Sequence, residues 1–347
     1  MTDTHASANR DDVHTTLLSA DVGGTHARVG LVAARPGKAL PVSVLAHRSY
    51  VCAEWPGLAE ILEDFLARHA GGRHGIKRCA LAVAGYVRNG ELVAENLRWP
   101  VRIADLRARL GLEHLDIVND FEALAFAVQF LSPRDSMPVI DTAGSPGPAV
   151  VLGPGTGLGC AVLMPGGHRA TVLPSEAGHV ALAPGNEREI EVLRRLGRDR
   201  PYVHVGHVLS GPGLVNLHRA LAEIEGIASP LVEPAQISAA AVHGNDPLAR
   251  GALTMFCALL GSFAGDLAVI FKASAGVYLA GGILPAIRDF LLASDFRVRF
   301  LNKGLMRPFL ANVPVRLLEH GQLGVIGAAA MQIDGAAGPA SGRAGHG

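Results

Sequence analysis

The stretch Leu115–Asp–Ile–Val–Asn–Asp–Phe–Glu–Ala–Leu124 passes from an apolar strand, through an Asn–Asp pair, directly into a segment with helical character. Such a junction is typical of an α/β fold, in which ligands usually bind at the carboxyl ends of the strands. Asp120 stands at that position. We therefore predict that Asp120 is the general base of an active site.

Two glycine-rich turns divide the rest of the chain into comparable halves. The first, Ala20–Asp–Val–Gly–Gly–Thr25, joins an apolar strand to an extended segment at His26–Val32. The second, Gly153–Pro–Gly–Thr–Gly157, lies between strands predicted at Ala149–Leu152 and Leu158–Met164. A Walker loop or a dinucleotide fingerprint needs a helix after its glycines, so both turns belong to strand–turn–strand units. The repetition predicts an internal duplication and hence two related α/β domains.

Each turn has two interpretations. Glycine could supply the positive φ of an ordinary hairpin turn, or it could let backbone N–H groups approach phosphate oxygens. A single Gly-Gly-Thr favours the hairpin, whereas two copies in matching contexts favour a pair of phosphate loops. Thr25 would add a hydroxyl donor, and Asp21 could bind magnesium directly or through water.

The Asn119–Asp120 pair also has two interpretations. Asn and Asp are favoured residues at the N-cap of a helix, and a helix is predicted at Phe121–Leu131. An aspartate can cap a helix and still accept the proton of a substrate hydroxyl during phosphoryl transfer.

Glu176 and His179 have the spacing of a helical Glu-x-x-His metal site. A proline and a glycine in the same segment, Leu173–Pro–Ser–Glu–Ala–Gly–His179, argue against a helix and therefore against metal ligation. On a loop, a carboxylate and an imidazole suit a polyhydroxylated ligand, although a merely solvated loop is an equal alternative. His204 and His207 have no metal spacing with cysteine and are interpreted as surface or packing residues.

Two further glycine motifs lie in the second half of the chain. Ser210–Gly–Pro–Gly–Leu214 is best explained as the start of a helix. Leu279–Ala–Gly–Gly–Ile283 is a strand that ends in Gly281–Gly282. These glycines could allow the backbone to approach a flat ring such as a nucleotide base, but a tight turn explains them equally well.

Composition excludes several classes of protein. The 347 residues include 31 basic and 31 acidic side chains, so no basic face favours nucleic acid or a membrane surface. Apolar runs are short and broken by Gly or Pro, which argues against a membrane span. The four cysteines are far apart without a Cys-x-x-Cys pair, which is typical of a reduced cytoplasm. They are Cys52, Cys79, Cys160 and Cys257.

Taken together, these motifs resemble the bacterial ATP-dependent glucokinase family, within the hexokinase, actin-like and Hsp70-like group. The resemblance extends from about Thr16 to Met331. The strings that carry it, in the family's order, are Ala20–Asp–Val–Gly–Gly–Thr25, Val118–Asn–Asp–Phe121, Gly155–Thr–Gly–Leu–Gly159, Leu173–Pro–Ser–Glu–Ala–Gly–His–Val180, Val208–Leu–Ser–Gly–Pro–Gly–Leu214 and Ala280–Gly–Gly–Ile283.

The resemblance implies an α/β fold in which two related ribonuclease-H-like (actin-like ATPase) domains flank a nucleotide and sugar cleft. The small domain would comprise 15–131 plus 321–334, and the large domain 132–320. We expect 1–14 and 335–347 to be disordered tails, because both are small, polar and Gly/Ala-rich. A homodimer is implied by the resemblance alone.

The implied activity is transfer of the γ-phosphoryl group of ATP to the 6-hydroxyl of D-glucose, with Mg²⁺ as cofactor. Asp120 would be the base, and Asp21 would hold the magnesium ion, possibly through water. The positions that match the family's sugar contacts are Asn119, Asp120, Glu176 and His179. The positions that match its nucleotide contacts are Ala20, Asp21, Val22, Gly23, Gly24, Thr25, Gly155, Thr156, Gly157, Gly281 and Gly282.

One departure from the family pattern affects the sugar site. Gly206 occupies the position of a glutamate that, in the family, contacts the sugar near its anomeric end. The loss of a carboxylate should weaken or redirect sugar binding, since a charged hydrogen bond contributes about 1.5–3 kcal/mol. A kinase for a different hexose, or a catalytically weak sugar-binding relative, are the alternatives. Whether Glu187, Glu189 or Glu191 replaces the missing carboxylate stays open at this point.

Overall fold

The computed structural model describes residues 16–35, 41–69, 75–93, 97, 99–132, 134–166, 170–244, 246–319 and 321–336. These residues form two compact units. Unit 1 contains the described parts of 1–123 and 322–347, and unit 2 contains those of 124–321. The tails expected at 1–14 and 337–347 lie outside the described residues. Gly335 and Ala336, expected in the second tail, instead continue the last helix.

The strands and helices of the described residues follow the chain in this order. The strands are β1 (Thr16–Val22), β2 (His26–Ala34), β3 (Val42–Val51), β4 (Arg78–Val83), β5 (Tyr86–Arg88), β6 (Glu91–Val93), β7 (Val101–Arg102), β8 (His114–Asn119), β9 (Ser136–Ile140), β10 (Ala149–Pro154), β11 (Leu158–Met164), β12 (Thr171–Ser175), β13 (Gly276–Leu279) and β14 (Val315–Leu318). The helices are α1 (Leu58–His69), α2 (Ile103–Leu110), α3 (Asp120–Ala127), α4 (Glu187–Leu196), α5 (Gly211–Glu225), α6 (Pro234–His243), α7 (Pro247–Ile270), α8 (Arg288–Ala293), α9 (Phe296–Leu301), α10 (Arg307–Leu310) and α11 (Leu323–Ala336).

Unit 1 is built on a five-stranded sheet in the order β3-β2-β1-β4-β8. β1 is antiparallel to β2 and parallel to β4, and β4 is parallel to β8. In this register Asp21 lies beside Ala82, which lies beside Val118. The carboxyl ends of β1, β4 and β8 therefore meet at one edge of the sheet, where the acidic residues Asp21 and Asp120 are found.

The two faces of the unit 1 sheet are covered by different helices. Leu18 and Ala20 face a core to which α1 contributes its apolar side. Successive side chains of a strand alternate between faces, so Ser19 and Asp21 point the other way. On that side α11 packs closely: the Ser19 hydroxyl donates to the Val325 carbonyl at 2.8 Å. Helix α11, the last described element, therefore packs against β1, the first described element.

Unit 2 repeats the same architecture. Its six-stranded sheet has the order β12-β11-β10-β13-β14-β9. β10 is antiparallel to β11 and parallel to β13, and β13 is parallel to β14. The first five strands thus match those of unit 1 in order and in direction. This correspondence is the duplication that the two glycine turns predict.

Helix α7 lies at the centre of the unit 2 core, in contact with α5, α6 and α9. Among the described residues it is the one helix long and apolar enough to cross a membrane, and 72% of its most apolar window is buried inside the protein. Burial on this scale is typical of a core helix in a globular domain.

The structure corrects the prediction in several places. Strand β9 lies in Ser132–Pro148, which the sequence presents as a Pro/Gly/Ser-rich connector. It is an edge strand, and the edge of a sheet is where a proline such as Pro138 is tolerated. The small sheet β5-β6-β7 was not predicted, because strands of two or three residues are too short for a visible alternation. The helix predicted at Phe121–Leu131 ends at Ala127 and continues as one 3₁₀ turn.

All four cysteines are buried and none forms a disulfide. Each unit is therefore stabilised by its apolar core without a disulfide.

Candidate functional site

Asp21 is held at the end of β1 by close packing. Its carboxylate accepts a hydrogen bond from Arg28 on the neighbouring strand at 3.3 Å. A Cβ atom on Gly324, in the first turn of α11, would lie 2.7 Å from the Asp21 Cγ, so only glycine fits there. Burial raises the pKa of the Asp21 carboxyl, and the Arg28 guanidinium offsets part of this shift. Sequence reasoning missed Arg28, although the hairpin register that pairs it with Asp21 could have suggested it.

Asn119 and Asp120 could each cap the helix that follows them, and their hydrogen bonds show how they differ. The Asn119 Oδ1 accepts hydrogen bonds from the backbone N–H groups of Phe121 at 2.9 Å and Glu122 at 3.3 Å. Asn119 is therefore the residue that caps α3. The Asp120 Oδ1 accepts a hydrogen bond from the Phe121 N–H at 2.9 Å, and the carboxylate also interacts with its own backbone N–H.

The environment of Asp120 suits a general base. Burial, together with the negative charge of Asp21, raises the pKa of the Asp120 carboxyl to about 6. A base with this pKa is mostly ionised at neutral pH and still has appreciable affinity for a proton. Its Oδ1 is held at the start of α3 by the hydrogen bond from the Phe121 N–H.

Asp21 and Asp120 also have the chemistry of a magnesium site. Magnesium in proteins is usually held by one or two carboxylates together with water and substrate phosphates. Two partly buried carboxylates that repel each other would be stabilised by a divalent cation between them. Among the described residues, no group of three His, Cys, Asp or Glu side chains is placed to hold a metal ion.

The first glycine turn is anchored by backbone hydrogen bonds. Gly23 N–H donates to the His26 carbonyl at 3.0 Å, and the Cys52 N–H donates to the Thr25 carbonyl at 2.8 Å. Neither Gly23 nor Gly24 has a positive φ. The hairpin itself therefore does not need glycine for its handedness, which favours the phosphate-loop interpretation. Ala20 and Val22, predicted as nucleotide contacts, bury their side chains in the core, so only their backbone could contact a ligand.

In the second glycine turn, too, the backbone conformation does not require glycine. Gly155 and Gly157 both have negative φ, and a Cβ atom on either would meet no protein atom within 4 Å. The fold therefore gives no reason for glycine at these two positions. The turn is closed by a 2.8 Å hydrogen bond from Gly155 N–H to the Gly157 carbonyl. Thr156, at its tip, is exposed.

Gly281 and Gly282 follow β13 at the same edge of the unit 2 sheet, and they differ from each other. Gly281 has a φ of +99°, and a Cβ atom there would lie 2.3 Å from the Pro154 carbonyl oxygen. The tight-turn interpretation is therefore sufficient for Gly281. Gly282 has a negative φ and open space at its Cβ position, so it is the better candidate for contact with a ligand.

The Ser210–Leu214 motif is a helix start, as predicted. The Ser210 hydroxyl accepts from the Gly213 N–H at 2.9 Å and donates to the Gly206 carbonyl at 2.8 Å. The Gly211 N–H donates to the Gly155 carbonyl at 2.8 Å. The first N–H groups of α5 are thereby satisfied within the protein, and the helix start supports the second glycine turn without needing a ligand of its own.

Glu176 and His179 lie on one 3₁₀ turn rather than on an α-helix. The turn spans Ala177–His179 and follows β12. The His179 Nε2 is 4.0 Å from the Glu176 Oε2, and the two side chains are 70% and 91% exposed. Both groups are therefore free to contact a ligand in solution.

Glu189, one of the candidates to replace the missing carboxylate, is unavailable for that role. Its side chain is 3% exposed and forms a bidentate ion pair with Arg299, with distances of 2.5 and 2.9 Å. The Gly185 N–H also donates to it at 2.6 Å. Glu191 pairs with Arg188 at 3.2 Å. The side chains that do lie beside Gly206 are the imidazoles of His204 and His207, which the sequence presented as surface or packing residues.

Comparison with known proteins gives a consistent result. The family model described as Glucokinase matches residues 18–334. The chain is 46% identical to a "Glucokinase-like protein" of Xylella fastidiosa (strain Temecula1 / ATCC 700964), over 90% of this chain and 93% of that protein. It is 39% identical to a "Glucokinase" of Paramagnetospirillum magneticum (strain ATCC 700264 / AMB-1), over 92% and 98% of the two chains.

A solved structure shows that the fold is also shared. The crystal structure of glucokinase from an Antarctic psychrotroph superimposes with a TM-score of 0.81 at 32% identity, and covers 92% of this chain and 99% of that chain. The fold of the present protein is the actin-like ATPase fold of these sugar kinases. The family match, the relatives and the shared fold together establish that this chain belongs to the glucokinase family.

Proposed function

We propose that this protein is an ATP-dependent glucokinase, which transfers the γ-phosphoryl group of ATP to the 6-hydroxyl of D-glucose. Membership of the family supports a glucokinase-like sugar kinase. The observation that carries the finer assignment is Asp120, a half-buried carboxylate at the edge of the unit 1 sheet with a pKa raised to about 6.

The reaction needs one proton acceptor and good positioning. The Asp120 carboxylate accepts the proton of the 6-hydroxyl while the hydroxyl oxygen forms a bond to the γ-phosphorus. The bond between that phosphorus and the bridging oxygen breaks, and ADP leaves with the electron pair. Phosphoryl transfer depends mainly on positioning and on charge stabilisation, so one base and two sets of binding groups are sufficient.

The nucleotide would be bound by backbone groups of both glycine turns. Gly155 and Gly157 have no structural reason to be glycine, which supports close approach of phosphate oxygens to their backbone. Thr25 and Thr156 are exposed at the tips of their turns and could donate hydroxyl protons to phosphate. Gly282 would lie against the adenosine, with Gly281 shaping the turn. Asp21 would hold magnesium, which when bound neutralises phosphate charge.

The sugar would be bound by Asn119, Asp120, Glu176 and His179. The Asn119 amide uses Oδ1 for the helix cap, and its Nδ2 remains able to donate to a sugar hydroxyl. Glu176 supplies acceptors and His179 an imidazole, both on an exposed turn. Sugar hydroxyls both donate and accept, so this mixture of groups suits them.

The remaining expectations follow the family. We propose that unit 1 and unit 2 act as the small and large domains, with bounds of 15–131 plus 321–334 and 132–320. We also propose a cytoplasmic homodimer with no nucleic-acid or membrane partner. A second candidate function, phosphorylation of another hexose, is favoured by Gly206, where the family's glutamate is replaced and an imidazole lies beside the glycine.

The test is ADP formation from magnesium-ATP with a panel of hexoses. D-Glucose should give the highest kcat/KM, and Asp120→Asn should reduce kcat by about 10²–10⁴-fold, the range for loss of a general base. Asp116→Asn, at an exposed aspartate of β8, the strand that precedes Asp120, is the matched control and should leave turnover unchanged. Preference for another hexose would support the second candidate, and near-normal turnover of Asp120→Asn would remove Asp120 as the base.

A further inference from the structure

Three histidines surround Gly206 in unit 2. The rings of His204 and His207 are stacked, with centroids 3.6 Å apart and planes inclined by 28°. The His179 ring is 4.8 Å from the His204 ring. His204 and His207 are half-buried, so part of each ring faces solvent. The histidine pair therefore continues the exposed surface formed by Glu176 and His179.

The hydrogen bonds of the pair fix the protons on each ring. The His204 Nδ1 lies 3.0 Å from the Gly178 carbonyl oxygen, which can only accept, so Nδ1 carries a proton. The His207 N–H also approaches this nitrogen, but it already donates to the His204 carbonyl at 3.0 Å. The His204 backbone N–H donates to the His207 Nδ1 at 3.2 Å, so that nitrogen is unprotonated.

With these protons assigned, the Nε2 atoms of the two rings differ in their hydrogen-bonding role. In its neutral form His204 has an acceptor at Nε2, because its proton is on Nδ1. Neutral His207 has a donor at Nε2, because its Nδ1 is the acceptor. The stacked pair thus offers one acceptor and one donor on neighbouring rings, and neighbouring hydroxyl groups of a sugar can both donate and accept.

The surroundings keep both rings neutral. Burial lowers the pKa of His204, the hydrogen bond to the Gly178 carbonyl offsets part of this shift, and the nearby His179 and Arg200 lower the pKa further. Burial also lowers the pKa of His207, with further contributions from His204, Arg200 and His179. The other group facing the cluster is Tyr202, whose hydroxyl donates to the His179 carbonyl at 2.9 Å. The carboxylate of Glu176 is directed at His179 rather than at the stacked pair.

Gly206 is what allows this arrangement. A Cβ atom at position 206 would lie 3.1 Å from the His204 Nδ1 and 3.2 Å from the Gly178 carbonyl oxygen. Those are the two atoms of the hydrogen bond that fixes the His204 proton. A longer side chain would begin in the space beside that bond and disturb it, so the glycine and the histidine pair depend on each other.

We propose that the stacked imidazoles of His204 and His207 form a binding subsite for neighbouring hydroxyl groups of an uncharged sugar, with the His204 Nε2 as acceptor and the His207 Nε2–H as donor. The subsite deepens the proposed function and rests on its assignment of Glu176 and His179 to sugar binding. It predicts that sugar affinity falls at acid pH, because protonation of His204 converts its acceptor into a donor.

The test uses asparagine substitutions, because the amide group of asparagine occupies about the position of the imidazole Nδ1. His204→Asn keeps a donor for the Gly178 carbonyl and removes the Nε2 acceptor. His207→Asn keeps an acceptor for the His204 N–H and removes the Nε2 donor. His114→Asn, at an exposed histidine of unit 1, is the matched control. KM for D-glucose and for ATP is measured by ADP formation across the neutral and mildly acid range, and D-glucose binding is measured separately by calorimetry.

The expected result is a rise of about tenfold in KM and Kd for D-glucose in each variant of the pair, as for loss of one hydrogen bond. KM for ATP and the thermal unfolding temperature should be unchanged, and the acid loss of glucose affinity should be smaller in His204→Asn, in which only the contribution of His204 is removed. If the histidines serve packing alone, the unfolding temperature falls while glucose affinity and its pH dependence stay as in the unmodified protein, and the proposal is overturned.

The calorimetric measurement separates this proposal from the kinase assignment. Glucose binding that weakens in His204→Asn, in a protein with no ATP-dependent turnover on any hexose, would support the subsite and refute the proposed function. Normal turnover with unaltered glucose KM in both variants would support the proposed function and refute the subsite. Absence of any glucose binding to the unmodified protein would overturn the subsite.

Discussion

Asp120→Asn should make the protein more stable at the same time as it stops turnover. The Asp120 pKa is raised from 3.8 to about 6 in the folded protein, first by burial and then by the charge of Asp21. A carboxyl whose pKa is raised on folding is protonated more readily in the folded state, so the stability of the protein falls as pH rises from about 4 to about 6. Above that range the charged carboxylate destabilises the fold by a constant amount.

The size of the effect follows from the shift. Roughly two pKa units correspond to about 3 kcal/mol, since one unit is 1.36 kcal/mol. Partial solvent exposure of Asp120 and its coupling to Asp21 reduce this figure, so we expect a gain of about 1–3 kcal/mol. Asparagine can still accept the hydrogen bond from the Phe121 N–H through its own Oδ1, so the start of α3 is kept.

The assay is urea unfolding of the unmodified protein, Asp120→Asn and the Asp116→Asn control at about pH 8 and about pH 4. The gain of Asp120→Asn should be present at the higher pH and absent at the lower, where the native carboxyl is already neutral. Asp116 is exposed, and its substitution should change neither stability nor turnover. A variant that is less stable than the unmodified protein at about pH 8 would refute the claim that Asp120 is held at an energetic cost for catalysis.

Other substitutions separate binding from folding. Gly281→Ala should destabilise the protein by more than about 1 kcal/mol in thermal unfolding, because alanine is strained at the positive φ of this position. Gly157→Ala should leave thermal unfolding unchanged, since its Cβ position is open, and should raise the KM for ATP. Asp21→Asn removes a negative charge beside Asp120 and should move the acid limb of the kcat/KM profile, which reports Asp120, to lower pH. Glu189→Gln leaves its half-buried partner Arg299 without the counter-charge of the ion pair and should cost about 1–3 kcal/mol in urea unfolding.

Local signals in the sequence predicted the backbone well where the pattern was long. The apolar residues of Ile103–Leu110 recur at helical spacing and are followed by a glycine, so the sequence predicts a helix there, and α2 has these bounds. The strand–turn–strand units were predicted from the glycines and the alternating apolar residues that flank them. Strand β9 was missed because its proline is a sign against a strand in general, and its position at a sheet edge is known only from the fold.

The sequence indicated the residue types of the candidate site, but it did not indicate how neighbouring residues of the same type differ. Nothing in the sequence distinguishes Asn119 from Asp120 as the cap, since both are favoured there, and the hydrogen bonds decide for Asn119. Gly281 and Gly282 are identical as letters, and the φ angles separate them. The stacking of His204 on His207 depends on a 3₁₀ turn that brings residues three apart into contact. A turn this short has no periodic pattern of apolar residues by which the sequence could predict it.

The duplicated sheet explains why two similar glycine turns can have different tasks. Both turns join the first two strands of the same five-stranded arrangement. In unit 1 the last residues of β1 include Asp21, whereas β10 ends in Gly153 and Pro154, with no acidic side chain there. Under the proposed function, the first copy supplies the carboxylates for a cation and a proton, and the second supplies backbone groups for phosphate. Phosphoryl transfer needs one base and one cation site, so a single set of carboxylates is sufficient and the second copy needs no acidic residue at this place.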